Sequence, residues 1–169
     1  NLAVNAANKV AIAKTEGALV ALAALLRDGS VVSKEQAAGA LKNLSVNNAG
    51  NKVAIAKTEG ALAALVALLR EGSAVGKEQA AGALKNLSFN ADNEVAIGKT
   101  AGALAALVAV LRDGSAVGKE RAASALWNLA GSADNKVAIA KTEGALAALV
   151  ALVRDGSAVG KEWAAGALY

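Results

Sequence analysis

Any chemistry along this sequence falls to Ser, Lys, Asp, Glu and Asn, because its 169 residues include no His, no Cys and no Met. Without Cys and His there is no thiol chemistry, no disulfide, and almost no way to hold zinc, haem or an iron–sulfur cluster. The commonest general base at neutral pH is missing as well. The remaining motifs are weak. Segment 72–78, Gly-Ser-Ala-Val-Gly-Lys-Glu, echoes a phosphate-binding loop, but three residues separate its glycines where four are needed, and Glu replaces Ser or Thr. Glu78 and Glu120, or Asp113 and Asp155, suggest carboxylate pairs only until their regular recurrence beside Lys or Gly-Ser is noticed, which reads as solvated surface and turn chemistry. No catalytic residue, metal site or cofactor is assigned, and the sequence is read as that of a protein that is not an enzyme.

The recurrent asparagines are different. Asn43, Asn86 and Asn128 each precede a Leu, and Asn1 does the same. One amide carries both a donor and an acceptor, so a row of them on one surface is a candidate for polar contact with a partner. The competing reading is that Asn, a poor residue for helix interiors, only marks a helix nearing its end.

Their spacing reveals the elements that must position them. The Asn-Leu pairs lie 42, 43 and 42 residues apart, and the Gly-Ala-Leu sites at Gly17, Gly60, Gly102 and Gly144 lie 43, 42 and 42 apart. Such a period is the signature of a repeat array. The one extra residue falls in the stretch Val46-Asn47-Asn48-Ala49-Gly50, a loop, where insertion is tolerated. Within one unit, 51–59 suits a short first helix ended by Gly60. Residues 61–70 form a second helix with Leu62, Leu65, Val66 and Leu69 on one face and Arg70 in the last turn. Gly72-Ser73 is a stop-and-restart signal, and a third helix runs over 74–87. Three helices and no strand signal per unit predict an all-α solenoid, because such a unit buries its faces only by stacking on neighbours.

Three helices per ~42 residues, Gly-Ala-Leu opening the second, and Ala-Ala-Gly-Ala-Leu-Lys-Asn-Leu in the third resemble the armadillo repeat family over the whole chain. The resemblance implies one domain over 1–169, a right-handed α-α superhelix with units at about 8–50, 51–92, 93–134 and 135–169, and 1–7 as the tail of a preceding unit. It implies a non-catalytic scaffold whose concave third-helix groove binds an extended peptide or protein segment, in the cytoplasm with the nucleus left open. In that family the third-helix Asn bonds the peptide backbone. The alternative function is a structural or designed self-stacking solenoid with no evolved ligand. The family's frequent Pro early in the second helix is absent, and with the uniform composition this leaves a consensus-designed origin open. The Trp that import receptors carry four residues before the Asn is replaced by Gly39, Gly82, Ser124 and Gly166, which argues against basic nuclear-import signals.

Stepping about 100° per residue along the third helix places Ala37, Ala40, Leu41 and Leu44 on a core stripe. Glu35, Gly39, Lys42 and Asn43 fall on the opposite side, with Gln36 at its margin. Two free-face positions vary between units while the core barely does: one reads Lys42, Lys85, Trp127, Tyr169, the other Gln36, Gln79, Arg121, Trp163. Exposed aromatics and Arg are the usual interface anchors. Trp127 and Trp163 are expected side by side, among small residues that cannot cover them, with folding back over an Ala-rich core as the alternative for either.

Charge and hydropathy bound the partners. Eighteen Lys and Arg against 14 Asp and Glu give +4, but the lysines lie near glutamates, and no basic stripe with stacking aromatics invites nucleic acid. Mean hydropathy is +0.40, yet apolar runs such as 17–26 and 101–111 stop before an Arg, at about half of the roughly 20 residues a spanning helix needs. The chain reads as a segment of a soluble protein with no membrane span. Neither end looks like a polar capping repeat, so Val10 and Ile12 at one end, and Ala164 and Leu168 at the other, are expected to expose stacking faces. A longer array or head-to-tail association of copies would cover them.

Overall fold

The computed structural model describes residues 2–169; the expected Asn at position 1 lies outside the described residues. After a single 3-10 turn at Leu2–Val4, twelve helices follow in four triplets. They are α1 (Ala6–Lys14), α2 (Ala18–Asp28) and α3 (Val31–Ser45); α4 (Ala49–Lys57), α5 (Ala61–Glu71) and α6 (Ala74–Leu87). The other two triplets are α7 (Ala91–Lys99), α8 (Ala103–Asp113) and α9 (Ala116–Leu129); α10 (Ala133–Lys141), α11 (Ala145–Asp155) and α12 (Ala158–Leu168). Among the described residues there is no strand, and the fold is an all-α solenoid of stacked helical triplets.

Each triplet is shaped by two kinds of junction. At the first corner Thr58 ends α4: its backbone N–H and its Oγ1 both donate to the Ala54 carbonyl. Gly60 then adopts φ +73°, and Gly17, Gly102 and Gly144 repeat that conformation. A side chain there would meet no atom within 4 Å, so the backbone angle alone calls for glycine. The corner turns the chain sharply, by 89° between α7 and α8. At the second junction Ser73 caps α6, its Oγ accepting from the Gly76 N–H at 3.0 Å. The extra residue of the first long loop is absorbed by Asn47 at φ 53°, the one positive-φ residue besides glycine among those described. Asn tolerates that region better than most residues.

Second helices α2, α5, α8 and α11 stack in one row and third helices α3, α6, α9 and α12 in another, with α1, α4, α7 and α10 along the edge. The core lies between the two rows, where Leu65, Leu69, Leu84, Leu87, Leu107, Leu111, Leu126 and Leu129 are fully buried. Each such side chain contributes about 1.5–3 kcal/mol by leaving water. The third-helix stripe is wider than the helical step predicts. Ala38 is fully buried and Ala40 only partly so, whereas the corresponding Ala83 and Ala125 are fully buried. A third helix inside the stack packs against its own second helix and against both neighbouring third helices; α3 has α6 on one side and only the 3-10 turn on the other.

The end faces repeat this contrast. Val66 and Val108 are each 3% exposed, whereas Val150, at the same position in the last triplet, is 53% exposed. Val10 and Leu168 are exposed as expected, and Ile12 is half-buried. Ala164 corrects the expectation: it is fully buried, like Ala37, Ala80 and Ala122 at the same position, because α12 packs against both α11 of its own triplet and α9 of the one before. No single helix among the described residues is long and apolar enough to cross a membrane.

Candidate functional site

The third-helix asparagines recur along one row, and part of each amide is already engaged. Asn86 Nδ2 donates to the Lys42 carbonyl at 3.0 Å, and Asn128 Nδ2 donates to Ser88 Oγ at 3.1 Å. Ser88 Oγ in turn donates to the Lys85 carbonyl. Each amide keeps Oδ1 and a second N–H that no protein group uses, since an Asn side chain has two donors and an acceptor. Asn43, whose preceding neighbour is only the 3-10 turn, makes no such bond among the described residues.

A second amide ladder escaped the sequence reading. Asn51 Nδ2 donates to the carbonyls of Lys9 and Leu44, and Asn93 Nδ2 to those of Lys52 and Leu87. Asn135 Nδ2 reaches Glu94. These first-helix residues are buried and tie each unit to the one before it. The signal was present: Asn51, Asn93 and Asn135 recur with the repeat inside an otherwise apolar helix face.

Varied positions meet across units: Lys42 with Gln79 and Trp127 with Trp163 one unit on, and Lys85 with Trp163 two units on. Lys42 Nζ donates to Gln79 Oε1 at 2.6 Å. Trp127 and Trp163 lie with ring centroids 5.1 Å apart, tilted by 41°. Lys85 Nζ sits 5.8 Å from the Trp163 ring centroid, a cation–π contact. Trp163 packs against the core, while Trp127 remains 41% exposed. The small residues between them are not bare. A Cβ on Gly82 would lie 2.9 Å from Lys42 Cδ and 3.3 Å from Arg121 Cδ, and one on Gly166 would lie 3.1 Å from Trp127 Nε1. Long side chains therefore lie flat where the row lacks side chains of its own. Ser124, which takes the same place in α9, is buried with its Oγ unpartnered. Burial pushes the Lys42 ammonium pKa down, and the nearby Arg121 charge adds to the shift against the weaker pull of Glu78. Arg121 Nη1 donates to the Glu78 carbonyl at 2.8 Å.

Glu78 and Glu120, read from sequence as solvated, hold neighbouring units together. Glu35, Glu78 and Glu120 accept from Ser73, Ser115 and Ser157, each at 2.5 Å, so every acceptor grips the serine that caps the next third helix. Two hollows lie along the array, one on this face and one at its C-terminal end between α9, α10, α11 and α12. One of about 530 Å³ is lined by Glu35, Gln36, Gly39, Lys42, Asn43 and Gln79. The other, of about 640 Å³, includes Phe89, Trp127, Asn128, Lys136 and Gly166. Together the hollows reach every predicted site residue except Lys85, Asn86, Arg121 and Trp163, which lie between or beneath them on α6, α9 and α12.

A family model described as Armadillo/beta-catenin-like repeat matches residues 48–89, the span of α4, α5 and α6. Among solved structures, the chain is similar to an engineered protein studied by a structural genomics consortium, with 29% identity and a TM-score of 0.88, covering 99% of this chain and 69% of that one. It is similar too to a designed armadillo repeat protein in complex with the peptide (KR)4, with 28% identity and a TM-score of 0.88, over 99% and 70% of the two chains. No curated protein matches the sequence.

Proposed function

We propose that this chain, which belongs to the armadillo-repeat family, is a non-catalytic scaffold that holds an extended peptide along its third-helix row. The observation that carries the proposal is a coincidence of place. One amide per unit with unused bonding capacity, at Asn43, Asn86 and Asn128, stands on the face that also bears two positions varied sharply between units. An extended chain offers a carbonyl and an N–H at regular intervals, and the unused Oδ1 and N–H of each amide complement them. Gln36, Gln79, Lys42, Lys85, Arg121, Trp127 and Trp163 would read its side chains. The peptide held by the designed neighbour supports this reading. The cytoplasmic setting that the family implies belongs to the same proposal.

The test is peptide-array screening followed by fluorescence anisotropy with the Asn86→Ala/Asn128→Ala double variant. Binding should fall while thermal unfolding stays close to that of the parent. If the double variant binds as the parent does, the groove reading fails.

The end faces favour a second reading, in which further repeats or further copies stack on the array. The 53% exposure of Val150 against 3% at Val66 and Val108 supports it. Sedimentation should show concentration-dependent association that Val150→Glu abolishes; a non-associating parent at high concentration counts against stacking of copies.

A further inference from the structure

The polarity of the third-helix row goes further than the amide row, and the inference rests on the groove reading. The described ion pairs are Arg27–Asp28, Arg112–Asp113 and Arg154–Asp155, all on second helices at exposed sites. Lys42, Lys85 and Arg121 belong to none of them. Glu35, Glu78 and Glu120 lie on the same helices, but Ser73, Ser115 and Ser157 hold them toward the helix starts.

Two of the three cations converge. Lys42 comes from α3 and Arg121 from α9, two units apart, and their stems meet over Gly82 on the intervening α6. A Cβ on Gly82 would crowd both stems and push the Lys42 stem aside. Lys42 has a neutral partner, Gln79 Oε1, and Arg121 has a main-chain carbonyl. Two like charges held at a half-buried site, neither in an ion pair and with the nearby Glu78 carboxylate turned to Ser115, form a place for an oxyanion. A charge-assisted hydrogen bond there is roughly twice as strong as a neutral one. Farther along, the exposed Trp127 offers an apolar surface beside Asn128.

We infer that the groove selects acidic extended peptides, seating a carboxylate or phosphate between Lys42 and Arg121 above Gly82 and an apolar side chain of the same peptide against Trp127. Trp127 and Trp163 are the only tryptophans in the chain, so their emission reports occupancy of this row directly.

The experiment titrates the protein with four labelled probes: (Asp-Glu)4 followed by Leu-Phe, its phosphoserine counterpart, (Lys-Arg)4, and a short oligothymidylate. Both acidic peptides should bind and alter tryptophan emission, and the tighter of the two identifies the oxyanion. Lys42→Gln/Arg121→Gln should weaken them by about tenfold or more, and added salt should do the same in the parent. Gly82→Ala, which displaces the Lys42 stem, should weaken them in part without unfolding the protein. Tighter binding of (Lys-Arg)4 or of the oligothymidylate overturns the inference, as does acidic-peptide binding indifferent to Lys42→Gln/Arg121→Gln. If that binding still depends on Asn86 and Asn128, only the charge preference falls. If no peptide binds at all, the groove reading falls with it.

Discussion

Asn86 and Asn93 are seven residues apart, and both recur with the repeat, yet they do opposite work. Asn93 is 3% exposed and gives its amide hydrogens to Leu87 and Lys52, one carbonyl in the last turn of the preceding third helix and one in the preceding first helix. A last-turn carbonyl has no intrahelical partner of its own, and the amide adds a second donor to the Leu87 carbonyl, which the Asn90 N–H reaches at 3.3 Å. Asn86 is half-exposed, makes one bond to Lys42, and keeps the rest of its amide unspent. Periodic asparagine therefore identifies a repeat but not a function. What separates staple from bait is whether the next unit closes over the amide.

The contrast is easiest to break at its buried member. Asn93→Ala removes two hydrogen bonds made by a buried amide and should cost about 1–3 kcal/mol at roughly 0.5–1.5 kcal/mol per bond; urea unfolding measures it, and an unchanged midpoint would erase the distinction between the ladders. Ser88→Ala is the next largest. It removes a fully buried hydroxyl that donates to Lys85 and receives Asn128, so a loss of about 1–2 kcal/mol is expected. Because it frees the Asn128 amide, peptide affinity should hold or rise. Asn86→Ala should lower stability by less than about 1 kcal/mol, the worth of one solvent-accessible bond, while reducing peptide affinity; a stability loss as large as that of Asn93→Ala would make Asn86 a second staple.

The smallest effect is a matter of pH. Glu94, whose carbonyl receives the Asn135 amide, has its carboxyl pKa raised above 4.5 by burial. The folded state thus holds that proton more tightly than the unfolded state, so the contribution is favourable below pH 4.5 and is lost as pH rises through the raised value. Glu94→Gln removes the effect. Its melting temperature relative to the parent should therefore climb from pH 4 toward pH 7 in a thermal series, and a flat difference would show that the carboxyl does not feel the interior.

Much of this architecture was legible in the residues. The glycines at 17, 60, 102 and 144 announced the corners, Gly72-Ser73 announced the restart with its cap, and Arg70 fell in the last turn of α5 as the helix dipole favours. The adjacency of Trp127 and Trp163 followed from position within the unit. The rest depends on what lies one unit away, which a helical wheel drawn for a single helix does not contain. α3 packs on α6 of the next unit, Asn51 bonds the preceding unit, and the grip of Glu78 on Ser115 joins residues 37 apart. The flat-lying stems over Gly82 were invisible for the same reason: absence of a side chain signals space, and only the neighbours decide what fills it.

The diagonal meeting of the varied positions constrains how such an array can change. Lys42 answers to Gln79 and Trp127 to Trp163, each partner belonging to the following unit. Shuffling whole units would therefore part both pairs at their seams and leave a tryptophan facing a glutamine. Preference for a new ligand has to be rewritten as dyads straddling the joints, so the heritable letter of this alphabet is the joint and not the module.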